Sequence, residues 1–177
     1  MLQTDTIFET DRLIVRKLNE TDADNYFDMM GNPNVMNPVP RPIMSRTESD
    51  EHLTNMMALK EGDDKKVWAV SIKGNSEFIG LVAFLTNDKE EDEIGYRFRE
   101  KFWGKGFGTE ITKFIIAYGF NQLKMELITA DVDSRNHRSV KILEKFFNLR
   151  ETFFNEEDQT IDRRYEIDKN SWKAKWS

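Results

Sequence analysis

Three glycines fall within five residues in the stretch 102-FWGKGFGTE-110. Glycine this dense is entropically unfavourable in a folded chain, so it marks a backbone that must adopt conformations or close approaches that a Cβ would block. An alternating segment, 93-EIGYRFR-99, precedes the stretch, and apolar residues at helical spacing follow it: Ile111, Phe114, Ile115 and Tyr118. The stretch therefore predicts a glycine-rich loop that leads from a strand into a helix.

A loop of this kind is suited to binding phosphate. The first turn of a helix carries N–H groups without intrahelical acceptors, and the helix dipole adds partial positive charge. Glycines let these amides surround a pyrophosphate, to which Lys105 would add a charge and Thr109 a hydroxyl. The spacing G-x-G-x-G matches neither the dinucleotide-binding pattern nor the Walker A pattern. A polyphosphate site is thus predicted, and a tight turn built for geometry alone is the alternative.

The other segments predict a mixed fold. Hydrophobic periodicity and turn signals predict, in chain order, a strand at 12–18, a helix at 21–32, a loop at 32–42 that holds all four prolines, a helix at 45–60, strands at 67–72, 78–85 and 93–99, a helix at 106–121, a strand at 125–132, a helix at 136–147, and strands at 149–154 and 160–167. Three consecutive strands form a meander at the centre. This order favours one mainly antiparallel α+β domain over 1–177 rather than a doubly wound parallel sheet.

Composition excludes several classes of function. The 177 residues are 38% hydrophobic and 33% charged, which is typical of a globular protein, and they contain no apolar run long enough to span a membrane. The first residues do not resemble a signal peptide, so a cytoplasmic protein is expected. Cysteine is absent, and neither His52 nor His137 has a partner at metal-ligand spacing, so no metal site is predicted. A net charge of −6 argues against nucleic acid and mildly favours a cationic partner.

Three separated segments carry a resemblance to a known family. They are 9-ETDRLIVRKLNETDADNYF-27, 93-EIGYRFREKFWGKGFGTEITKFIIAYGF-120 and 131-DVDSRNHRSVKILEKFF-147. Together they resemble the GNAT N-acetyltransferase superfamily, most closely the branch that includes the ribosomal-protein N-terminal acetyltransferases RimJ and RimL. The resemblance implies a seven-stranded, mainly antiparallel sheet with about four helices, in which two central parallel strands splay apart around acetyl-CoA. Trp103 departs from the family's [QR]-x-x-G-x-[GA] loop, and Phe147 replaces a helix-ending glycine.

The same resemblance assigns residues to the cofactor. The loop would bind the CoA pyrophosphate, chiefly through backbone amides of Gly104, Lys105, Gly106, Phe107, Gly108, Thr109 and Glu110. The strand backbone of Tyr96, Arg97 and Phe98 would pair with the pantetheine arm, as an added strand pairs with a sheet edge. Asn136 matches a residue that hydrogen-bonds the same arm.

Acetyl transfer to a primary amine needs a neutral amine, a polarised thioester and a protonated leaving sulfur. Because the chain has no cysteine, direct attack in a ternary complex is the simplest route. The resemblance places Glu93 near the cleft as general base, acting directly or through water, with Asp131 as second choice. Ser139 matches a position from which a hydroxyl meets the CoA sulfur. The alternatives are an ordinary strand carboxylate and an ordinary helix N-terminal serine.

Some interpretations stay open. The acceptor is a protein N-terminus, a polyamine or an amine metabolite, and the competing function is a non-catalytic CoA-binding module for sensing or assembly. The basic residues Arg135, Arg138 and Lys141 either flank CoA phosphates or form a solvated face. Trp172 and Trp176, expected to be exposed, leave room for a homodimer contact. A set of methionines either fills the core or forms a lid over the acceptor: Met29, Met30, Met36, Met44, Met56 and Met57.

Overall fold

The fold is a single mixed sheet with helices on both faces. The computed structural model describes residues 5–37 and 41–176, so part of the predicted proline loop, residues 38–40, lies outside the described residues. The strands are β1 (Thr6–Glu9), β2 (Leu13–Arg16), β3 (Lys66–Ile72), β4 (Phe78–Thr86), β5 (Asp92–Phe98), β6 (Leu127–Asp133), β7 (Asn148–Asn155) and β8 (Thr160–Asp168). Their spatial order is β1-β2-β3-β4-β5-β6-β8-β7. Within this sheet β5 and β6 run parallel, and the other neighbours are antiparallel.

The helices are α1 (Ala23–Met30), α2 (Pro33–Met36), α3 (Arg46–Met57), α4 (Phe107–Asn121), α5 (His137–Phe146) and α6 (Lys169–Trp176). The prediction of a mainly antiparallel α+β fold is confirmed. The predicted numbers are wrong, because the described residues contain eight strands and six α-helices instead of seven and about four.

Three elements that the sequence did not predict, β1, α2 and α6, are short, and each depends on local hydrogen bonds. β1 pairs with β2 across a turn closed by Thr10 N and Leu13 O at 2.9 Å, so the predicted first strand is the second arm of a hairpin. α2 lies inside the predicted proline loop because Pro33 occupies the first helical position, where a missing N–H does no harm. α6 follows β8 directly, and the Asp168 carboxylate accepts hydrogen bonds from Ser171 N and Oγ at 2.9 and 2.6 Å.

The C-terminal tryptophans contradict the expectation that they are exposed. Trp172 is 5% exposed and packs in the main core against Phe120 and Phe146. Trp176 stacks on Trp172 with ring centroids 5.7 Å apart. These rings pack against Phe120 of α4 and Phe146 of α5, so they do not provide the exposed aromatic surface on which a dimer contact was expected.

The two sheet faces have separate cores. Alternate residues of β5 point to opposite faces. Ile94 and Phe98 join the core under α4, α5 and α6, whereas Leu81 of β4 joins a second core with Tyr26, Met29 and Leu53 from α1 and α3. Among the described residues, no helix is both long and apolar enough to cross a bilayer.

Candidate active site

A cleft opens where the two parallel strands separate. Glu93 of β5 and Thr129 of β6 form the one residue pair between these strands, and beyond it the strands diverge. The gap is a cavity of about 690 Å³. It is lined by Glu93–Tyr96 on one side, Ala130–Asp133 on the other, and Asn136 and Ser139 at the start of α5. The splayed pair that the resemblance implied is therefore present.

The register of β5 decides which backbone groups face this cleft. Arg99 N donates to Ile79 O at 2.9 Å, directly across the β4–β5 ladder. In an antiparallel ladder such pairs alternate, so the odd-numbered residues of β5 bond to β4 and the even-numbered residues present N–H and C=O to the opposite edge. Tyr96 and Phe98 therefore present their backbone groups to the edge of β5 on the side of the cleft. Arg97 does not, because its backbone faces β4, and the pantetheine contact predicted for it is corrected accordingly.

The glycine loop has the predicted open amides. Gly104 and Gly106 have φ of +72° and +82°, in the left-handed region that other residues avoid. Gly106 caps α4, and the first hydrogen bond into this helix runs from Glu110 N to Gly106 O at 3.1 Å. The amides of residues 107–109 thus precede the first intrahelical bond and are available to an anion. Gly108 serves packing as well, since a Cβ there would lie 2.9 Å from Ile142 Cδ1.

Arg12 and Glu110 fix the position of the glycine loop by hydrogen bonds. The Glu110 carboxylate accepts hydrogen bonds from Thr10 Oγ1 (2.6 Å), Arg12 N (2.7 Å) and Arg12 Nε (2.6 Å). Although burial acts to raise the pKa of Glu110, these hydrogen bonds lower it. Arg12 also donates to Lys105 O at 2.9 Å and stacks 4.6 Å above the Phe107 ring. Glu110 thus has both its amide and its carboxylate engaged within the protein, and its contribution is to position the loop.

Sequence reasoning missed Arg12, because nothing in its local pattern links it to a loop that lies more than 90 residues away. It also left Trp103 without a role. Trp103 Nε1 donates to Phe98 O at 3.0 Å, and the Arg138 guanidinium lies 4.7 Å above the Trp103 ring. Arg138 is therefore next to the loop, whereas Arg135 is paired with Asp133 at 2.6 Å.

Asn136 and Ser139 meet at the start of α5. Asn136 Oδ1 caps the helix by accepting from Ser139 N at 3.2 Å, and both residues line the cleft. The Tyr96 hydroxyl lies 3.5 Å from Ser139 Oγ. Burial raises the pKa of the Tyr96 phenol, so it stays protonated at neutral pH. Sequence reasoning used only the backbone of Tyr96, but its hydroxyl and that of Ser139 form a pair on one side of the cleft.

Glu93 lies at the apex of the cleft beside an ionic cluster. Burial, helped by the negative charge of Asp131 and opposed by Arg164, raises the pKa of the Glu93 carboxyl to about 7. Asp131 is differently placed, because both of its carboxylate oxygens accept from Arg164, at 2.8 and 2.7 Å. Arg164 is only 2% exposed and also contacts Asp88 and Glu151. Of the two candidate bases, Glu93 is therefore the one whose carboxylate is not neutralised by a direct ion pair.

A second cavity adjoins the cleft on the sheet face that carries α1 and α3. Its volume is about 710 Å³, and we call it the methionine pocket. The floor consists of Val67, Leu81, Ala83, Leu85, Gly95 and Arg97, and the walls include Met30, Met36, Met44 and Met56. Leu85, Gly95 and Tyr96 line both cavities, so the methionine pocket and the cleft meet over Gly95. The methionines thus serve both interpretations: Met29, Met30 and Met36 are buried in the core, and Met30 and Met36 also border the cavity with the less buried Met44 and Met56.

Gly104→Ala tests whether the loop binds CoA. Gly104 and Gly74 both have positive φ, +72° and +80°, and an added Cβ would meet nothing within 4 Å at either position. Alanine should therefore destabilise the fold by a similar 1–2 kcal/mol, roughly, at both sites. Only Gly104→Ala should weaken CoA binding, by about tenfold, because its Cβ would occupy the open space beside the loop amides that would hold the pyrophosphate. Calorimetric titration of both variants measures this, and equal dissociation constants would mean that the loop does not bind CoA.

The chain is similar in sequence to known proteins. Residues 12–146 match the family described as an acetyltransferase (GNAT) domain. An uncharacterized N-acetyltransferase, p20, from Bacillus licheniformis is 34% identical over 139 residues, which cover 76% of this chain and 77% of that protein.

Solved structures show the same fold. A GNAT-family acetyltransferase from Bacillus anthracis superimposes with a TM-score of 0.80 at 21% identity, over 92% of this chain and 98% of that one. RimL, described as a ribosomal L7/L12 alpha-N-protein acetyltransferase in complex with coenzyme A, superimposes with a TM-score of 0.78 at 15% identity, over 94% and 99% of the two chains.

Proposed function

The chain belongs to the GNAT acetyltransferase family, and from that premise we propose that it transfers the acetyl group of acetyl-CoA to a primary amine by direct attack in a ternary complex. The observation that carries this proposal is the position and the pKa of the Glu93 carboxyl. Burial raises the pKa of this carboxyl to about 7, and it lies at the apex of the cleft, on the strand that leads toward the glycine loop. Such a carboxyl can accept a proton near neutral pH.

The residues around the cleft fit the cofactor. The amides of residues 107–109 and the open space at Gly104 suit a pyrophosphate, with Arg138 and Lys105 nearby as cations. The outward-facing backbone of Tyr96 and Phe98 suits an extended pantetheine arm, because that edge of β5 has no strand partner beyond Glu93. Phe98 O is already used by Trp103, which leaves the Phe98 amide and both backbone groups of Tyr96. Within the described part of the chain nothing accepts from the amide nitrogen of Asn136, so this group can donate toward the same arm.

Each catalytic group has one task. Acetyl-CoA supplies a thioester carbonyl that is activated toward nitrogen nucleophiles. Glu93 removes a proton from the acceptor ammonium, directly or through water, so that the amine nitrogen can bond to the carbonyl carbon. A cleft-facing amide of β5 stabilises the negative oxygen that forms. Ser139, whose hydroxyl lies beside that of Tyr96, donates a hydrogen bond to the sulfur as the carbon–sulfur bond breaks. The departing thiolate takes up the second proton, which the nitrogen loses once it has bonded to the carbonyl carbon. The products are an N-acetylated amine and free CoA.

The finer assignments rest on resemblance. We place the chain in the RimJ/RimL-like branch because of the segments at 9–27, 93–120 and 131–147. The acceptor class in that case is a protein N-terminus or a small amine.

A panel of amines with acetyl-CoA, monitored by release of free thiol, tests the proposal. We expect thiol release with at least one class of primary amine and none with tertiary amines, which cannot form the amide. Titration with CoA alone is the matched control for cofactor binding. Tight CoA binding without thiol release across N-terminal peptides, amino acids and polyamines would instead favour a non-catalytic CoA-binding module.

A further inference from the structure

Among the described residues, Arg97 is a partly buried arginine without a carboxylate partner, whereas the fully buried arginines are paired. Arg16 pairs with Asp22 at 2.7 Å, Arg99 pairs with Asp28 and Glu77 at 2.8 and 2.7 Å, and Arg164 pairs with Asp131 at 2.7 Å. Arg97 is partly buried on the floor of the methionine pocket, and among the described residues its one polar contact is Met30 Sδ, at 3.4 Å. A guanidinium removed from water without an anion is unfavourable, so the fold leaves this charge uncompensated.

The surroundings of Arg97 add positive charge. Arg41 and Lys65 line the same pocket, and burial together with Lys65 and Arg97 lowers the pKa of His52, which keeps this imidazole neutral. Burial also lowers the pKa of Arg97, and Arg41 acts in the same direction. Two glutamates line the pocket from α3, but both are exposed, and Glu48 is engaged with Ser45 N at 2.7 Å. The inside of the pocket is therefore positive, although the whole chain carries −6.

The pocket leads directly to the proposed base. Glu93, Gly95 and Arg97 are alternate residues of β5, so all three lie on the same face of the sheet. Gly95 leaves that face open between the other two, because an added Cβ would have only Leu85 Cδ1 nearby, at 3.7 Å. Glu93 and Arg97 are about 13 Å apart at Cα, at roughly 3.3 Å per residue. One small molecule with an amine and an anionic group can therefore contact both side chains.

We propose that the acceptor is a small amino carboxylate with an apolar portion, whose amine lies over Gly95 near Glu93 and whose carboxylate pairs with Arg97. This proposal rests on the proposed function and specifies its acceptor. The methionines of the pocket suit the apolar portion, since flexible thioether side chains adapt to different shapes. Arg97 supplies the anion contact by its side chain, while its backbone is committed to β4.

The test compares amino carboxylates with matched amines. Leucine, methionine and 6-aminohexanoate are assayed beside isoamylamine, 3-(methylthio)propylamine and pentylamine, which lack the carboxylate, and beside the diamine cadaverine. We expect kcat/KM to be higher for an amino carboxylate than for its matched amine by roughly 10- to 150-fold, the range of a hydrogen bond to a charged group. Arg97→Met should abolish this preference, and Arg97→Lys should retain part of it. Arg46→Met, which removes an exposed arginine of α3, should leave the preference unchanged.

A stability measurement gives an independent readout. Without ligand, Arg97→Met should melt at or above the temperature of the wild type, because the variant removes an unpaired charge. Arg99→Met should melt lower, because it leaves Asp28 and Glu77 without their partner. Equal losses in the two variants would mean that Arg97 is a structural residue and would overturn the proposal.

The outcomes also separate this inference from the proposed function. Thiol release with alkylamines or cadaverine at rates equal to or above those with amino carboxylates would overturn the acceptor assignment and leave acetyl transfer intact. If none of the amines supported thiol release, the proposed function itself would be overturned.

Discussion

Glu93→Gln is expected to lower kcat by roughly 10²- to 10⁴-fold at pH 7, the usual contribution of a positioned general base. The wild-type rate should rise with pH as the Glu93 carboxyl loses its proton around pH 7. Glutamine cannot accept the proton, so the variant should lose this rising limb. CoA affinity should stay within about twofold, because Glu93 is about 16 Å from Phe98, the end of β5 that leads to the loop, at roughly 3.3 Å per residue. Stopped-flow measurement of thiol release from pH 5.5 to 9 tests the expectation.

Glu90→Gln is the matched control, since it removes a carboxylate three residues away that is exposed on the β4–β5 turn. It should keep both the rate and the rising limb. If Glu93→Gln retained the wild-type rate, Glu93 would have no part in proton transfer. If its rate fell but the rising limb persisted, another group would be the base.

The same substitution should stabilise the folded protein. The pKa of Glu93 is raised from its model-peptide range to about 7 on folding, so the folded state holds the proton more tightly than the unfolded state. The contribution of the Glu93 carboxyl to the free energy of unfolding is therefore fully present below its unfolded pKa, near 4.5. This contribution falls as pH rises toward 7 and changes no further above that. Glutamine at this position does not ionise, so the variant does not lose stability in this way as pH rises. We expect Glu93→Gln to gain about 3 kcal/mol at pH 8 and almost nothing at pH 4, as measured by denaturant unfolding.

Arg164→Met should produce the largest loss of stability, about 3 kcal/mol or more. The Arg164 side chain is 2% exposed and neutralises Asp131 while contacting Asp88 and Glu151. Removing one member of a buried ionic cluster leaves the others charged and poorly solvated. Arg164 also lowers the pKa of Glu93, so its loss should move the midpoint of the pH–rate profile upward. Denaturant unfolding and the pH profile measure the two effects separately.

Arg150→Met provides the comparison on the neighbouring strand. Arg150 is 25% exposed and bridges Glu91 and Glu166 at 2.7 and 2.9 Å. A more solvated pair contributes less, so this variant should lose about 1 kcal/mol and keep the wild-type pH midpoint. An equal loss in both variants would mean that burial does not distinguish the two clusters, and an unshifted midpoint in Arg164→Met would mean that Arg164 does not tune Glu93.

Local patterns predicted much of the fold and of the loop. The alternation in 93–99, the periodicity in 107–121 and the turn at Gly74 each correspond to an element in the structure, because pattern and propensity act within a few residues. β1, α2 and α6 were missed for the same reason, since segments of four to eight residues carry too little periodicity to stand out. Their stability comes from a hairpin partner, from Asn32 and Pro33, and from burial of Trp172.

The sequence by itself determined the glycine loop, the helix that follows it, the central meander and the residue types available for the chemistry. Only the tertiary structure decided which of those residues act together. Arg12 reaches the loop from the first hairpin, Arg164 reaches Asp131 from the far side of the splay, and Arg97 is left without a carboxylate. The physical reason is that charge pairing, desolvation and pKa depend on neighbours in space, and for these residues the neighbours are 13 to 98 positions away in the chain.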